Sequence, residues 1–117
     1  MPANVRWGAP IAITASYWLR FELAHCEQHA GSNFEYTESI PDGRKYARRR
    51  PMIIIGSDLV ARVRKPVHCG GLVVVATLDP NDRRTFLHAA RIGAAYVISL
   101  PQARSWLAEQ LLQAVAG

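Results

Sequence analysis

The stretch that most constrains the fold runs from Leu72 to Pro101 and has the pattern strand, helix, strand. Leu72–Ala76 is an unbroken apolar run, mostly β-branched, which is typical of a strand covered on both faces. Tyr96–Ser99 has the same character, and Pro101 ends it. Because a unit this short joins its strands by a right-handed parallel crossover, the sequence predicts an α/β domain.

The segment between these two strands predicts a helix with a defined start and end. Asp79 supplies an N-cap, Pro80 suits the first helical position, and Gly93 supplies a left-handed C-cap. Apolar side chains recur at helical spacing and predict the buried stripe, which comprises Phe86, Leu87, Ala89, Ala90 and Ile92.

The remaining segments alternate in the same way. Strands are predicted over 11–15, 33–38 and 51–56, and helices over 17–30, 59–65 and 102–116, with Pro41-Asp42-Gly43 as a turn. Residues 1–9 are predicted to be an N-terminal extension and residues 10–117 the domain. Five strands alternating with helices predict a flavodoxin-like, doubly wound α/β/α sandwich, whose five-stranded parallel sheet has the order 2-1-3-4-5.

Composition places further limits on the chain. Its 117 residues, half of them apolar, suit one globular domain. No apolar run approaches the roughly 20 residues that cross a bilayer, and the N-terminus lacks the apolar region of a signal peptide. We therefore expect a cytoplasmic protein whose two cysteines are reduced thiols.

The net charge of +5 is concentrated in the middle of the chain. Residues 44–65 carry eight bases against Asp58 alone. This predicted anion-binding patch consists of Arg44, Lys45, Arg48, Arg49, Arg50, Arg62, Arg64 and Lys65. Its partner would be an acidic protein, a nucleic acid or an anionic membrane, and the alternative is a solvated face without a partner.

The last third of the sequence resembles a CheY-like receiver domain. Receivers end their fourth strand with a small or hydroxyl residue, here Ala76 or Thr77. Their next helix ends in Gly-Ala, here Gly93-Ala94, and a Lys-Pro pair follows the fifth strand, here Leu100-Pro101. The resemblance implies the receiver fold and a cis Leu100–Pro101 bond.

The chain differs from receivers at the residues that carry out phosphorylation. The phosphorylated aspartate at the end of the third strand is replaced by Gly56 or Ser57, and Asp58 lies beyond that position. The first strand ends without the acidic pair that holds magnesium, and Leu100 replaces the lysine. Asp58 would instead cap the following helix, with Ser57 as the competing cap. Gly56, Ser57, Asp58, Thr77 and Leu100 are therefore predicted to form a degenerate phosphorylation site, without a bound metal or cofactor.

A narrower resemblance comes from GAAYVISLP followed by SWLAEQL. These segments are similar to the degenerate receiver at the N-terminus of CpaE/TadZ-type and actinobacterial Ssd-type proteins. The resemblance implies a MinD/ParA-like ATPase beyond residue 117, positioned in pilus or secretion assembly or in septum-site determination.

Receivers commonly pair through their last helix-strand-helix surface, which implies an interface at Tyr96, Arg104, Trp106 and Leu107. The alternative for Trp106 is packing on the sheet. A metal site is a weaker hypothesis, because the pair His25 and His29 has ligand-like spacing. It would combine the His25-Cys26-His29 group with His68 and Cys69.

The sequence thus predicts a non-catalytic pseudo-receiver that binds a protein partner or a second copy of itself. Two alternatives stay open at this point. One is a phosphorylatable two-component receiver, and the other is a nucleic-acid or membrane-surface adaptor that uses the patch at residues 44–65.

Overall fold

The computed structural model describes residues 8–116. Five strands alternate with four α-helices and two short 3₁₀ helices, the latter at Ala47–Arg49 and Val60–Arg62. The strands are β1 (Ile11–Ile13), β2 (Glu35–Thr37), β3 (Met52–Gly56), β4 (Leu72–Thr77) and β5 (Tyr96–Ser99). The α-helices are α1 (Tyr17–Ala30), α2 (Ile40–Lys45), α3 (Arg83–Ile92) and α4 (Arg104–Ala116).

All strand pairs are parallel, and the sheet order is β2-β1-β3-β4-β5, which confirms the predicted fold. The registers pair Ile13 with Ile55, Gly56 with Ala76, and Thr77 with Ser99. The carboxyl ends of the strands therefore meet along one edge of the sheet, where doubly wound proteins place their sites.

The sheet separates two apolar cores, because successive strand residues point to opposite faces. Ile54 and Val74 face α1 and α4, and pack with Leu23 and Leu107. Ile53, Ile55, Val73 and Val75 face α2, the two 3₁₀ helices and α3. The uninterrupted apolar strands of the sequence reflect this burial on both sides.

Helix α1 has the bounds that the sequence predicts. Ser16 caps it by accepting a hydrogen bond from the Leu19 amide, and Gly31 ends it at a φ of 63°. Its buried residues are Leu19, Leu23, Cys26 and Ala30, whereas Phe21 and Ala24 are exposed.

Helix α3 differs from its prediction in its start and in its buried face. Asp79 accepts the Asn81 amide within a turn, and Asp82 caps the helix by accepting from the Arg84 amide. Phe86 and Leu87 are 49% and 71% exposed and Ala90 is exposed as well, so the prediction that these three are buried is wrong. The buried residues are Thr85, Ala89 and Ile92, two of them small enough to let the helix lie close to the sheet.

The predicted turn at Pro41-Asp42-Gly43 is instead part of α2. Ser39 caps this helix by accepting from the Asp42 amide, and Pro41 lies in the first turn, where its missing N–H costs nothing. Gly43 is buried, and a Cβ there would collide with the Ile13 side chain. The glycine therefore allows α2 to lie directly on β1.

The other segments agree with the sequence to within a few residues. The segment at 59–65 contains a short 3₁₀ helix, and α4 begins at Arg104 after a turn. The Leu100–Pro101 peptide bond is cis, as predicted. Gly8 donates its amide to the Arg49 carbonyl at 3.0 Å, whereas the rest of the predicted extension, residues 1–7, lies outside the described residues. Within residues 8–116, no helix combines the length and the apolar character needed to span a bilayer.

Candidate functional site

Three residues of the predicted phosphorylation site, together with Thr14, lie at the carboxyl edge of the sheet. Thr14 follows β1, Gly56 ends β3, Thr77 ends β4, and Leu100 follows β5. Thr14 and Thr77 are each 1% exposed, so the edge is lined by hydroxyl groups that are held inside the fold.

Asp58 is the carboxylate at this edge. One of its oxygens accepts the Thr14 hydroxyl at 2.8 Å, and the other accepts the Ala15 amide, also at 2.8 Å. The 3₁₀ helix that follows Asp58 has no side-chain cap. The prediction that Asp58 or Ser57 caps the next helix is therefore wrong, because the Asp58 carboxylate reaches back to the end of β1.

Gly56 explains how the Asp58 carboxylate fits. A Cβ built on Gly56 would collide with Asp58 Oδ1 and would lie 2.7 Å from Thr14 Oγ1. The carboxylate of Asp58 thus fills the volume that a side chain at the end of β3 would occupy. Any larger residue at position 56 would displace it.

The three other residues of the predicted site are engaged elsewhere. Ser57, which is half-buried, donates its amide to the Ala76 carbonyl at 2.8 Å. The Thr77 hydroxyl accepts the Asp79 amide at 3.0 Å and donates to the Asp79 carbonyl, which closes the turn after β4. Leu100 is 1% exposed and belongs to the core beneath α4. Its side chain packs in this core and brings no charge to the edge.

The donor groups do not fit the magnesium site of a receiver. Among residues 8–116, no three His, Cys, Asp or Glu residues come close enough to share a metal ion. Asp58 follows β3 at this edge; it is exposed, and each of its oxygens accepts one hydrogen bond. The end of β1 presents Thr14 and Ala15 in place of the acidic pair that holds magnesium in receivers.

The predicted interface residues occupy different environments. Tyr96, on the edge strand β5, is 49% exposed, and its ring centroid lies 4.9 Å from that of the half-buried Trp106. Arg104 forms a 2.6 Å ion pair with Glu22 that joins α4 to α1. Leu107 is 0% exposed, so its inclusion in an interface is corrected: it is a core residue.

The two cysteine-containing groups lie on opposite faces of the sheet. Cys26 is fully buried under α1, whereas Cys69 packs against the core beneath α3. Burial raises the pKa of the Cys26 thiol to about 11, an effect that the nearby Arg104 charge partly opposes. The geometry therefore separates the groups that the metal hypothesis combined.

Several neighbouring segments present basic side chains to solvent, and we call this surface the basic face. The segments are α2, the two 3₁₀ helices, residues 63–65 and α3. Arg44 joins two of its segments by donating to the carbonyls of Pro66 and Lys65 at 2.8 and 3.1 Å. Arg91, on α3, connects this helix to the segment around the second 3₁₀ helix by donating to the Ala61 and Val63 carbonyls. Arg91 lies outside the basic run at residues 44–65 of the sequence. It becomes part of the basic face because α3 packs against residues 60–62.

Arg50 is not part of this face. Its guanidinium pairs with Glu35 at 2.9 Å, donates to the Ala9 carbonyl, and is 13% exposed. The other bases of the predicted patch remain, and Arg83, Arg84 and Arg91 of α3 extend it. Segments 40–49, 60–67 and 82–92 together carry ten bases against Asp42 and Asp82, a net charge of +8.

Comparisons with known proteins agree with this architecture. The chain is similar to a signal receiver domain of a two-component histidine kinase from Clostridium thermocellum, with 12% identity over 92% of this chain and 97% of that one, and a TM-score of 0.58. It is similar also to HP1043, an orphan response regulator of H. pylori, with 19% identity over 92% and 99% of the two chains and a TM-score of 0.56. No curated protein matched the sequence.

These structural similarities establish the fold, and a family match is more specific. Residues 13–117 match the family described as the Rv3660c-like, CheY-like N-terminal domain. The match covers all five strands except the first residues of β1. The chain is therefore a CheY-like receiver domain and belongs to the Rv3660c-like N-terminal domain family.

Proposed function

We propose that this receiver domain acts by binding a protein partner or a second copy of itself, without phosphoryl chemistry of its own. The observation that carries the proposal is the position of the Asp58 carboxylate. It fills the space beside Gly56 and is held by Thr14 and Ala15. Thr14 and Ala15 also stand where a receiver carries its acidic pair, so this edge lacks the carboxylates that would hold magnesium for phosphoryl transfer.

The side chain at position 100 supports the same conclusion. The developing negative charge of a transferring phosphoryl group is stabilised by cations that point at it. Leu100 offers an apolar side chain that packs in the core. The proposed role is therefore one of binding, for which the receiver fold supplies a rigid frame.

The proposed binding surface is the aromatic pair Tyr96 and Trp106. Edge strand β5 has a neighbour on one side alone within the described sheet, and Tyr96 leaves half of its ring in solvent. Exposed aromatic residues on rigid elements are the usual anchors of protein interfaces. Arg104, held by Glu22, borders this surface and fixes α4 against α1.

The biological setting belongs to the same proposal. The matched family is described as an N-terminal domain, which supports the presence of a further domain after it in the full-length protein. The sequence resemblance to CpaE/TadZ-type and Ssd-type proteins suggests that this domain is a MinD/ParA-like ATPase. The receiver domain would then position the ATPase in the cytoplasm, during pilus or secretion assembly or septum-site selection.

The molar mass in solution tests the proposed surface. We expect a concentration-dependent dimer by light scattering, and we expect Trp106→Ala to abolish it. Tyr46→Ala is the matched control, because Tyr46 is an exposed aromatic residue at the end of α2, on the opposite face of the sheet from α4, and its loss should leave the dimer intact. A monomer at all concentrations, or equal loss in both variants, would contradict self-association through the Tyr96–Trp106 pair.

A further inference from the structure

The basic face combines two kinds of exposed group that rarely occur together. The first is cationic. Among the described residues, several bases of this face form neither an ion pair nor a side-chain hydrogen bond, namely Lys45, Arg48, Arg49, Arg62, Arg64 and Lys65. Their side chains are exposed, and only Lys45 contacts an aromatic ring, that of Tyr46, among the described residues. The positive charge of the others is therefore available to an external partner.

The second kind of group is apolar and lies on α3. Leu87 is 71% exposed and Phe86 is 49% exposed, and Leu78, before the helix, is 40% exposed. Arg83 and Arg84 stand next to them in the sequence and are exposed too. A helix that presents Phe and Leu to solvent beside arginines has the composition of helices that bind membrane surfaces.

Both kinds of group point in the same direction. Ala47, Val60, Val63, Ala89 and Ile92 belong to one core, so their segments all cover the same face of the sheet. The solvent sides of these segments therefore form a single surface. Arg44 and Arg91 hold the segments together through backbone carbonyls, so the surface is part of the fold.

We propose that the basic face docks on an anionic lipid bilayer. The unpaired bases would lie at the level of the lipid phosphates, and Phe86 and Leu87 would enter the boundary between headgroups and acyl chains. A nucleic acid would satisfy the same charges but would leave Leu87 in water. Tyr46 and Phe86 are exposed aromatic residues of this face, but they lie on separate segments, which offers little for the stacking of successive bases.

The opposite face of the sheet fits this orientation. Segments 17–30 and 104–116 carry two bases against three acids, so electrostatic attraction selects the basic face. The Tyr96–Trp106 pair, which packs partly against the α1/α4 core, would stay accessible to a protein partner. Membrane docking rests on Phe86, Leu87 and the basic side chains, whereas the proposed self-association rests on Tyr96 and Trp106, so different variants test the two.

Vesicle co-sedimentation tests the proposal. One set of vesicles contains phosphatidylcholine alone, and the other contains equal parts of phosphatidylcholine and phosphatidylglycerol. At a salt concentration of about 0.1 M, we expect binding to the anionic vesicles alone, weakening as salt is raised. Binding to both kinds of vesicle alike, or to neither, would overturn the proposal.

Three variants separate the surface from a general effect of charge. Arg62→Gln with Arg64→Gln should lower the partition coefficient about thirtyfold. Leu87→Ser should lower it about tenfold, through the lost apolar insertion. The control, Gln28→Glu with Gln113→Glu, removes the same two units of net charge from exposed positions on α1 and α4, and should leave binding within about twofold of wild type.

Equal loss in the control pair would show that net charge alone drives binding and would overturn the proposal. A gel shift with a DNA duplex tests the competing partner. Binding to the duplex that depends on Arg62 and Arg64 but not on Leu87, without vesicle binding, would assign the face to nucleic acid instead. Circular dichroism spectra of all the variants verify that each is folded.

Discussion

The two faces of the sheet are covered in different ways. The α1/α4 face uses two long helices, buries Leu19, Leu23, Leu107 and Leu111, and pairs its charges internally through Arg104 and Glu22. The basic face uses short helical segments whose arginines donate to backbone carbonyls, and it leaves a net charge of +8 in solvent. The α1/α4 face therefore contributes mainly to the stability of the fold. The basic face carries positive charge that makes little contribution to stability.

The largest expected effect lies on the α1/α4 face. Leu107→Ala removes a fully buried side chain between α4 and the sheet, and should lower the free energy of unfolding by about 3 kcal/mol. Leu112→Ala makes the same change on the same helix at a position 50% exposed, and should cost less than about 1 kcal/mol. Urea denaturation measures both, and equal losses would show that α4 does not pack as described.

The pH dependence of stability tests whether water reaches the Cys26 thiol in the α1/α4 core. The pKa of the Cys26 thiol is about 11 in the folded chain against 9.0 ordinarily, so the folded state holds the thiol proton more tightly. The stability that this difference adds is complete below pH 9 and is lost as the pH rises through 11, so the free energy of unfolding falls by about 3 kcal/mol. In Cys26→Ala, urea denaturation should show a correspondingly shallower decline over this range. A decline identical to that of wild type would show that the thiol is solvated.

A double-mutant cycle tests the contact between Thr14 and Asp58. Thr14→Val removes the hydroxyl that donates to the Asp58 carboxylate and should cost about 1 kcal/mol. The same change in an Asp58→Ala background should cost clearly less, because its partner is already gone. Strictly additive losses would mean that the carboxylate is free at the edge, as in a receiver that binds magnesium.

The smallest effect on stability is expected on the basic face. Arg62→Gln with Arg64→Gln should leave the free energy of unfolding within about 0.5 kcal/mol of wild type. At low salt the variant should be slightly the more stable, since charge repulsion is relieved, and this gain should vanish at high salt. A clear loss of stability would show that these arginines are structural and would remove the contrast between the faces.

Local patterns predicted the fold well. The apolar runs of β3 and β4, the span of α1 and the alternation of elements follow from short-range signals, and the structure confirms each of them. The start of α3 was missed, because Asp79 and Asp82 are both good caps. The choice between them depends on which carboxylate the surrounding turn can use.

The candidate site could be predicted only in part. The replacement of receiver side chains by Gly56 and Leu100 is visible in the sequence once the strands are aligned. The position of the Asp58 carboxylate is not, because its hydrogen bond to Thr14 spans 44 residues. The exposure of Phe86 and Leu87 was missed for a related reason: helical spacing alone does not reveal which side of a helix contacts the sheet.

The most direct test of the account is an amide NMR titration with magnesium and beryllofluoride, a mimic of the phosphoryl group. We expect no saturable shifts at Ala15, Ser57 or Asp58, because Thr14 and Ala15 stand in place of the acidic pair of a receiver and the buried Leu100 replaces its lysine. Saturable shifts at this edge that disappear in Asp58→Asn would contradict the account. They would establish a phosphorylatable receiver in which Asp58 replaces the usual acceptor.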